Sequence, residues 1–184
     1  MHMSSHFTAS LALLLIAAIM YLVALATTSW SSSGEELTFG IWEFCFWDIE
    51  DEKKKWKCLT SKADFTMAAQ AFSILAVMCY AVAFLLYLAY IIFPTLSKSR
   101  PITMGLCLLG FCVVCLQIMT TIVYGVKVGD YFRKVEIRYF THQLKESLMI
   151  SWSFAFAIVS TLMATASGIC TFLELRNITL EDLV

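Results

Sequence analysis

The chain has 184 residues, of which 60% are hydrophobic and only 15% are charged, and its formal net charge is −1. Its mean hydropathy of +0.77 indicates a membrane protein rather than an ordinary soluble domain. A net charge so close to zero gives no reason to expect nucleic acid as a partner.

Four long runs of the chain contain no Asp, Glu, Lys or Arg. Each run is longer than the roughly 20 apolar residues that an α-helix needs to cross a bilayer core. We therefore expect a single domain, residues 1–184, built as an all-α four-helix transmembrane bundle. The predicted spans are 7–28, 65–93, 102–126 and 148–173. They leave loops 29–64 and 127–147 on one side, and the loop 94–101, the tail 174–184 and the N-terminus on the other.

The first span has an alternative interpretation, because Ala24-Leu25-Ala26 resembles a signal-peptidase site. Residues 1–10, however, contain no Lys or Arg, and the apolar run is longer than a typical signal core. We therefore expect the first helix to remain in the protein as a membrane span.

Two arguments disagree about which side faces the cytosol. Loops 29–64 and 127–147 each carry five Lys or Arg residues, whereas the opposite side carries only Lys98, Arg100 and Arg176. A plain positive-inside count would place the two loops in the cytosol. Two cysteines in the first loop, Cys45 and Cys58, favour the opposite orientation if they form a disulfide, since disulfides persist in oxidising compartments. We expect both termini in the cytosol and both loops outside, in the plasma membrane.

The first loop contains a predicted β-hairpin. Residues 37–50 are rich in aromatic and β-branched residues, which favour strands, and 56–60 form a second short alternating run. If Cys45 faces Cys58 in an antiparallel pair, then Trp47 faces Trp56. The same register places Ile49 opposite Lys54 and the turn at Asp51-Glu52. Directly opposed antiparallel residues lie close enough for a disulfide.

The cysteines allow other interpretations. Cys45 and Cys58 could instead be two free thiols in a cytosolic loop. The other five cysteines lie in the spans, where small apolar packing residues are expected. Cys107 and Cys170 fall near the predicted cytosolic helix ends, where palmitoylation is conceivable.

Several of these residues form a recognisable pattern. Trp30, then Gly40-Ile41-Trp42, then Cys45 and Cys58 resemble the W…G-L-W…C…C signature of the claudin, epithelial membrane protein and peripheral myelin protein superfamily, with Ile41 in place of the usual Leu. Ser151-Trp152-Ser153-Phe154 is similar to the F-S-W-S-[FY] segment of epithelial membrane proteins and lens fibre membrane intrinsic protein. The resemblance covers essentially the whole chain. It implies a claudin-like fold, in which a small extracellular antiparallel β-sheet from the first loop stands on a left-handed four-helix bundle.

The resemblance also implies a strand from the second loop. Val135, Ile137 and Tyr139 alternate with Glu136, Arg138 and Phe140, as expected for an edge strand. The two loops carry net charges of opposite sign, which should help them to associate.

Within the bundle, the fourth span carries small residues at four-residue spacing: Ser160, Ala164 and Gly168. Such a ridge allows membrane helices to approach closely. Thr161 and Thr165 flank it and could donate hydrogen bonds across the helix interface. Gln70 and Gln117 are expected to bond to each other or to the backbone, because an unpaired amide is unfavourable in lipid. No charged residue lies deep in a span, which argues against a proton relay, an ion pump or a voltage sensor.

The sequence contains no recognisable catalytic motif, and His2, His6 and His142 are isolated. Cys112-Val-Val-Cys115 has a redox-like spacing, but it lies in a predicted span, where we expect the spacing to be coincidence. We therefore expect a protein that is not an enzyme and that has no metal or cofactor. Its expected partners are the lipid bilayer and another membrane protein, which could be a second copy or a subunit of a channel or receptor. The C-terminal residues Asp182 and Val184 are compatible with capture by a PDZ domain.

The leading hypothesis is cell–cell contact or membrane organisation through the sheet, with cell junctions as one expected location. The candidate contact residues are Phe44, Phe46, Trp47 and Trp56, since exposed aromatic side chains often mark contact sites. The alternative for Trp42, Phe44 and Phe46 is that they pack on the helix ends or on outer-leaflet lipid. The alternative function is an auxiliary subunit that modulates an ion channel or receptor.

Overall fold

The computed structural model describes residues 5–34, 37–50, 53–93, 99–139 and 149–181. These residues form four long helices: α1 (Ser5–Ala26), α2 (Asp64–Ile92), α3 (Arg100–Tyr139) and α4 (Trp152–Glu181). All four are long and apolar enough to cross a membrane. The protein is therefore a multi-pass membrane protein with a four-helix bundle, as the charge-free runs predict.

The first two helices begin and end within two residues of the predicted spans, but the last two do not. Helix α3 continues thirteen residues beyond the predicted end at 126, since its last residue is Tyr139. Helix α4 begins at Trp152 rather than at 148 and continues to Glu181, into the predicted tail. A charge-free run marks where a helix lies in lipid, whereas a helix can extend into water on either side of it.

The predicted strand at Val135, Ile137 and Tyr139 is therefore wrong, because these residues belong to α3. Adding a residue to an existing helix gains one hydrogen bond per residue fixed, while a new strand must pair elsewhere. The preference of five alternating residues for a strand does not outweigh the hydrogen bonds gained by continuing the helix. The second loop still contributes a strand, but from residues that directly precede α4, Met149–Ile150.

The described residues form a β-sheet of five strands: β1 (Ser31–Ser33), β2 (Leu37–Phe39), β3 (Glu43–Glu50), β4 (Lys53–Thr60) and β5 (Met149–Ile150). Their order across the sheet is β4-β3-β2-β1-β5, and every neighbouring pair is antiparallel. Gly34 has a φ of 57° just after β1, in the left-handed region that glycine adopts without a Cβ clash. The hairpin β3–β4 and the short edge strand β5 thus lie at opposite edges of the sheet.

The register of the β3–β4 hairpin is the predicted one. Cys45 pairs with Cys58, Trp47 with Trp56, and Ile49 with Lys54. The two cysteines form a disulfide. The predicted turn at Asp51-Glu52 lies outside the described residues.

Small residues allow the helices to pack closely. Helix α1 packs against α4, α2 against α3, and α3 against α4. Fully buried alanines line these interfaces: Ala17, Ala69, Ala76, Ala157 and Ala164. Large apolar residues such as Leu85 and Phe111, each at least 65% exposed, face outward, as expected for a surface covered by lipid.

Polar side chains in the bundle are joined across helices. Ser160 of the predicted ridge donates to Ala17 O at 2.7 Å, and Gly168 approaches Gly110 on α3. Gln117 donates from Nε2 to the hydroxyls of Tyr80 and Ser160, each at 3.1 Å, rather than to the backbone.

Two flanking threonines differ from the prediction. Thr161 and Thr165 bond to carbonyls of their own helix, at Ala157 and Thr161, and not across the interface. A hydroxyl on a helix can always reach the carbonyl four residues earlier, so local bonding satisfies it without a partner helix.

A cluster of hydroxyls that the sequence analysis missed joins α1, α2 and α4. Ser10 Oγ lies 2.6 Å from both Tyr87 Oη and Thr171 Oγ1, and Ser167 Oγ donates to Ser10 O at 2.8 Å. The hydroxyls satisfy one another, which fixes the three helices relative to one another.

Candidate interaction surface on the β-sheet

Trp30 fixes the start of the sheet to the bundle. Its side chain is fully buried, and its Nε1 donates to Ala24 O, the carbonyl near the end of α1, at 2.6 Å. Its ring contacts Tyr124 of α3 at 5.1 Å and Phe154 of α4 at 5.8 Å between centroids. Its backbone N–H donates to Phe39 O of β2 at 3.0 Å. One residue therefore connects three helices with two strands.

The segment Gly40-Ile41-Trp42, which follows β2 directly, also fixes the sheet to the bundle. Ile41 is fully buried, and its carbonyl accepts a hydrogen bond from Gln70 Nε2 of α2 at 2.9 Å. Trp42 Nε1 donates to Leu25 O, near the end of α1, at 2.9 Å. The family-motif residues thus hold the sheet on the helices. Gln70 contributes to the same attachment, as a side chain bonded to the backbone.

The aromatic residues of β3 divide between the two faces of the hairpin. Phe44 stacks on Phe39 at 5.5 Å and lies 6.0 Å from Phe46 between ring centroids. With Leu37 they form a small apolar cluster against Tyr131 of α3. Phe44 and Phe46 therefore pack the sheet on the bundle, which was the alternative to a contact role.

The opposite face of the hairpin presents Trp47 and Trp56. Because side chains alternate along a strand, Cys45 and Trp47 lie on the face opposite to Phe44 and Phe46. The Trp47 and Trp56 rings meet edge to face at 5.1 Å, and the residues are 42% and 43% exposed. Of the four candidate contact residues, these two remain largely accessible. This face, defined by Trp47 and Trp56, is called the tryptophan face below.

A second exposed apolar patch lies at the other edge of the sheet and was not predicted. Met149 and Ile150 of β5 are 67% and 63% exposed, and Trp152 is 47% exposed. Trp152 contacts Phe156 edge to face at 5.5 Å. The motif Ser151-Trp152-Ser153-Phe154 marked this region, but only the pairing of β5 with β1 places it beside the sheet. These four residues, Met149, Ile150, Trp152 and Phe156, are called the edge patch below.

Tyr124 is a further residue that the sequence analysis missed. Its hydroxyl donates to Phe39 O at 2.9 Å, and the residue is 1% exposed. Its position in a charge-free run gave no indication of this contact, which depends on how β2 lies over α3.

Among the described residues of the hairpin, one group brings metal-ligating atoms together, but its chemistry does not fit a metal. Atoms of Glu43, Cys45 and Cys58 lie within 4.8 Å of one another. Both sulfurs are bonded to each other, so neither is a thiolate that could bind an ion. The group is part of a disulfide-linked hairpin.

Comparison with known families gives a match that covers most of the chain. The model of the PMP-22/EMP/MP20/Claudin family matches residues 3–171. No individual curated protein matches the chain. The match includes all five strands, the disulfide, both tryptophan motifs and the greater part of the four helices. This chain belongs to the PMP-22/EMP/MP20/Claudin family.

Proposed function

We propose that this protein joins cells or organises membranes without catalysis, and that the tryptophan face makes the contact. Members of its family are in general non-enzymatic structural membrane proteins. The family indicates a role at a junction or in a membrane. The whole chain would act as one domain, with the bundle holding the sheet at a fixed height above the lipid.

The exposure of Trp47 and Trp56 carries this proposal. Neither ring is needed to attach the sheet, because Trp30, Trp42 and the phenylalanines of the other face already do so. Tryptophan is enriched among the residues that dominate binding energy, since it buries a large area with few rotamers to fix. The adjacent disulfide keeps the two strands in register, so the pair is already ordered before a partner binds.

The proposed orientation places the sheet outside the cell and both termini in the cytosol. The disulfide supports it, because disulfides persist outside the cytosol. In this orientation the protein resides in the plasma membrane and can meet a partner on another cell. The C-terminal residues Asp182 and Val184, proposed to bind a PDZ domain, lie outside the described residues.

Vesicle clustering tests the contact role. The purified full chain would be reconstituted into liposomes, and clustering would be followed by light scattering. Replacing both rings, Trp47→Ala with Trp56→Ala, should reduce the clustering rate by about tenfold or more, because truncating a central aromatic contact commonly costs over 1 kcal/mol. The matched control is Met149→Ser with Trp152→Ala in the edge patch, which should cluster as the unmodified protein does.

Two measurements keep this experiment decisive. Electrophoresis without reductant reports whether Cys45 and Cys58 remain bonded in each variant, and thermal unfolding reports whether the bundle is intact. Vesicles that cluster equally with and without Trp47 and Trp56 would contradict the proposal. So would vesicles of the unmodified protein that do not cluster at all.

The edge patch supports a second candidate, an auxiliary subunit that binds another protein in the same membrane. Met149 and Ile150 lie at the sheet edge beside the first turn of α4, so a partner would approach from the side rather than from above. Apolar residues exposed in this number at one edge are typical of contact sites. Tryptophan also occurs at membrane boundaries for contact with lipid alone, so the two explanations need an experiment.

Copurification from native membrane in mild detergent separates the two candidates. An auxiliary role predicts channel or receptor subunits at a fixed stoichiometry, lost on Met149→Ser with Trp152→Ala but retained on Trp47→Ala with Trp56→Ala. The contact role predicts that vesicle clustering is lost on Trp47→Ala with Trp56→Ala and retained on Met149→Ser with Trp152→Ala. If neither pair of substitutions affects copurification, the edge patch contacts lipid.

A further inference from the structure

A cleft of about 850 Å³ opens between the first turn of α2 and the part of α3 that lies next to it. Its walls come from residues 62–65 on one side and from residues 122–131 on the other. It lies at the end of the bundle that carries the sheet, but neither the tryptophan face nor the edge patch contributes to it.

The cleft changes from apolar to charged along its length. Phe65, Ile122 and Val126 form its apolar part, and Ile122 and Val126 are 54% and 65% exposed. The charge-free runs of both helices end here, at Phe65 on α2 and at Val126 on α3. Because such runs lie in hydrocarbon, the apolar part of the cleft faces lipid tails and the charged part lies at the membrane boundary.

Four charged side chains line the boundary end of the cleft. They are two lysines and two aspartates: Lys62, Asp64, Lys127 and Asp130. All four are exposed. The pairs cancel in net charge while presenting both signs within one cleft. This pattern matches a ligand that itself carries one negative and one positive group.

Two lysines suit the negative group. Lys62 lies next to the start of α2, and Lys127 lines the same cleft. Helix α2 begins with Asp64, whose carboxylate already occupies the first turn, so the two cations rather than the helix start would hold a phosphate.

Aromatic rings and carboxylates suit the positive group. Phe65 and Tyr131 meet edge to face at 5.4 Å in the wall of the cleft. An ammonium group is attracted both to such rings and to carboxylates such as Asp64 and Asp130. Asp130 also accepts a hydrogen bond from Arg133 at 3.4 Å, but a carboxylate has room for several donors.

We infer that this cleft binds a zwitterionic phospholipid of the surrounding leaflet, such as phosphatidylcholine. Its phosphate lies at Lys62 and Lys127, its amine lies at Asp64 and Asp130, and one acyl chain runs along Ile122 and Val126. A lipid with a phosphate and no amine leaves the two carboxylates facing a negative charge. A lipid without a headgroup leaves all four charges unused. This site does not depend on the contact role proposed for the tryptophan face.

Native mass spectrometry of the full chain tests the inference. The detergent-purified protein would be offered phosphatidylcholine, phosphatidylglycerol or diacylglycerol with the same acyl chains. The unmodified protein should retain phosphatidylcholine most strongly. Lys62→Ala with Lys127→Ala should lower that retention by about tenfold, since two phosphate contacts are lost. The matched control, Lys55→Ala with Lys57→Ala, removes the same charge from the hairpin and should leave retention unchanged.

Removing the negative charges of the cleft provides a second test, in which the lipid preference should change. Asp64→Asn with Asp130→Asn makes the cleft positive, so the preference should change from phosphatidylcholine to phosphatidylglycerol. A preference that does not move, or equal retention of diacylglycerol, would show that only the apolar wall binds and would overturn the inference. If a variant loses its fold, crosslinking of a photoactivatable phosphatidylcholine to the unmodified protein decides instead. Adducts should map to residues 122–131, and adducts elsewhere would refute the site.

Discussion

Gly40 shows how closely the sheet is seated on the end of α1. A Cβ at this position would lie 2.8 Å from Thr28 Cα and 3.1 Å from Glu43 O, and both of these are backbone atoms. Backbone atoms cannot rotate away as a long side chain can. We therefore expect Gly40→Ala to lower the free energy of unfolding by about 1–3 kcal/mol, the range found when atoms are forced into a packed site.

Thermal unfolding in detergent, followed by tryptophan fluorescence, measures this effect. Gly129→Ala is the matched control, because nothing lies within 4 Å of a Cβ there and the residue is inside helix α3. Alanine favours a helix over glycine, so the control should gain about 0.5–1 kcal/mol. Equal changes in the two variants would contradict the close packing at Gly40.

Single residues also show what could be predicted from the sequence and what could not. The pairing of Cys45 with Cys58 fixes the register by simple alternation, so the tryptophan pair followed from it. The partners of Gln70 and Gln117 did not, although both needed one. Gln70 bonds to a carbonyl of the first loop and Gln117 to hydroxyls of two other helices. The sequence around an amide in a membrane span shows that it needs a hydrogen-bond partner. Which group becomes that partner depends on how elements distant in the sequence pack together.

At the scale of elements, helix α3 connects the bundle to the sheet. Its extension beyond the apolar run carries Tyr131, which contacts Phe39 of β2 at 6.2 Å and Phe65 of α2 at 5.4 Å between ring centroids. Residues 135–139 alternate as a strand would, yet they continue the helix. An alternating pattern over only five residues does not identify a strand when those residues directly follow a long helix. The sheet consequently takes its last strand from Met149–Ile150.

Tyr124 provides a test of how α3 holds the sheet. Its hydroxyl donates to Phe39 O, which also accepts the backbone N–H of Trp30 at 3.0 Å. Tyr124→Phe leaves that carbonyl with one donor, so we expect a loss of only about 0.5–1.5 kcal/mol in the free energy of unfolding. Tyr124→Ala also removes a ring that contacts Trp30 and Phe154, and should cost about 3–5 kcal/mol.

Hydrogen exchange distinguishes loss of the sheet attachment from loss of the bundle. In Tyr124→Ala the amides of β1 and β2 should exchange faster, while those of α1 and α4 keep their protection, because their hydroxyl cluster around Ser10 is untouched. Uniformly faster exchange across all elements would mean that sheet and bundle unfold as one unit.

At the scale of the whole molecule, the sheet presents different surfaces in different directions. The tryptophan face lies on the hairpin at one edge, and the edge patch lies at the other, beside the start of α4. The cleft for which we propose a phospholipid lies between α2 and α3. One protein of this size could therefore contact another membrane, a lateral neighbour and a specific lipid without competition between them.

The orientation of the molecule decides which of these contacts are available, and it can be tested directly. The basic residues favour a cytosolic sheet by ten to three, whereas a disulfide joins Cys45 and Cys58 within that sheet. Acidic residues contribute little to the positive-inside rule, so those in the hairpin do not reduce the basic count, and the disulfide is the observation that favours a sheet outside the cell.

We therefore expect epitopes added to either terminus to bind antibody only after cells are permeabilised. A membrane-impermeant amine reagent should modify Lys55, which is exposed on β4, in intact cells. The two measurements check each other. An inverted protein would expose both epitopes on intact cells and would protect Lys55 from the reagent. If the disulfide were still recovered from such cells, the sheet would form its S–S bond in the cytosol. An inverted protein could not make contact between cells through Trp47 and Trp56.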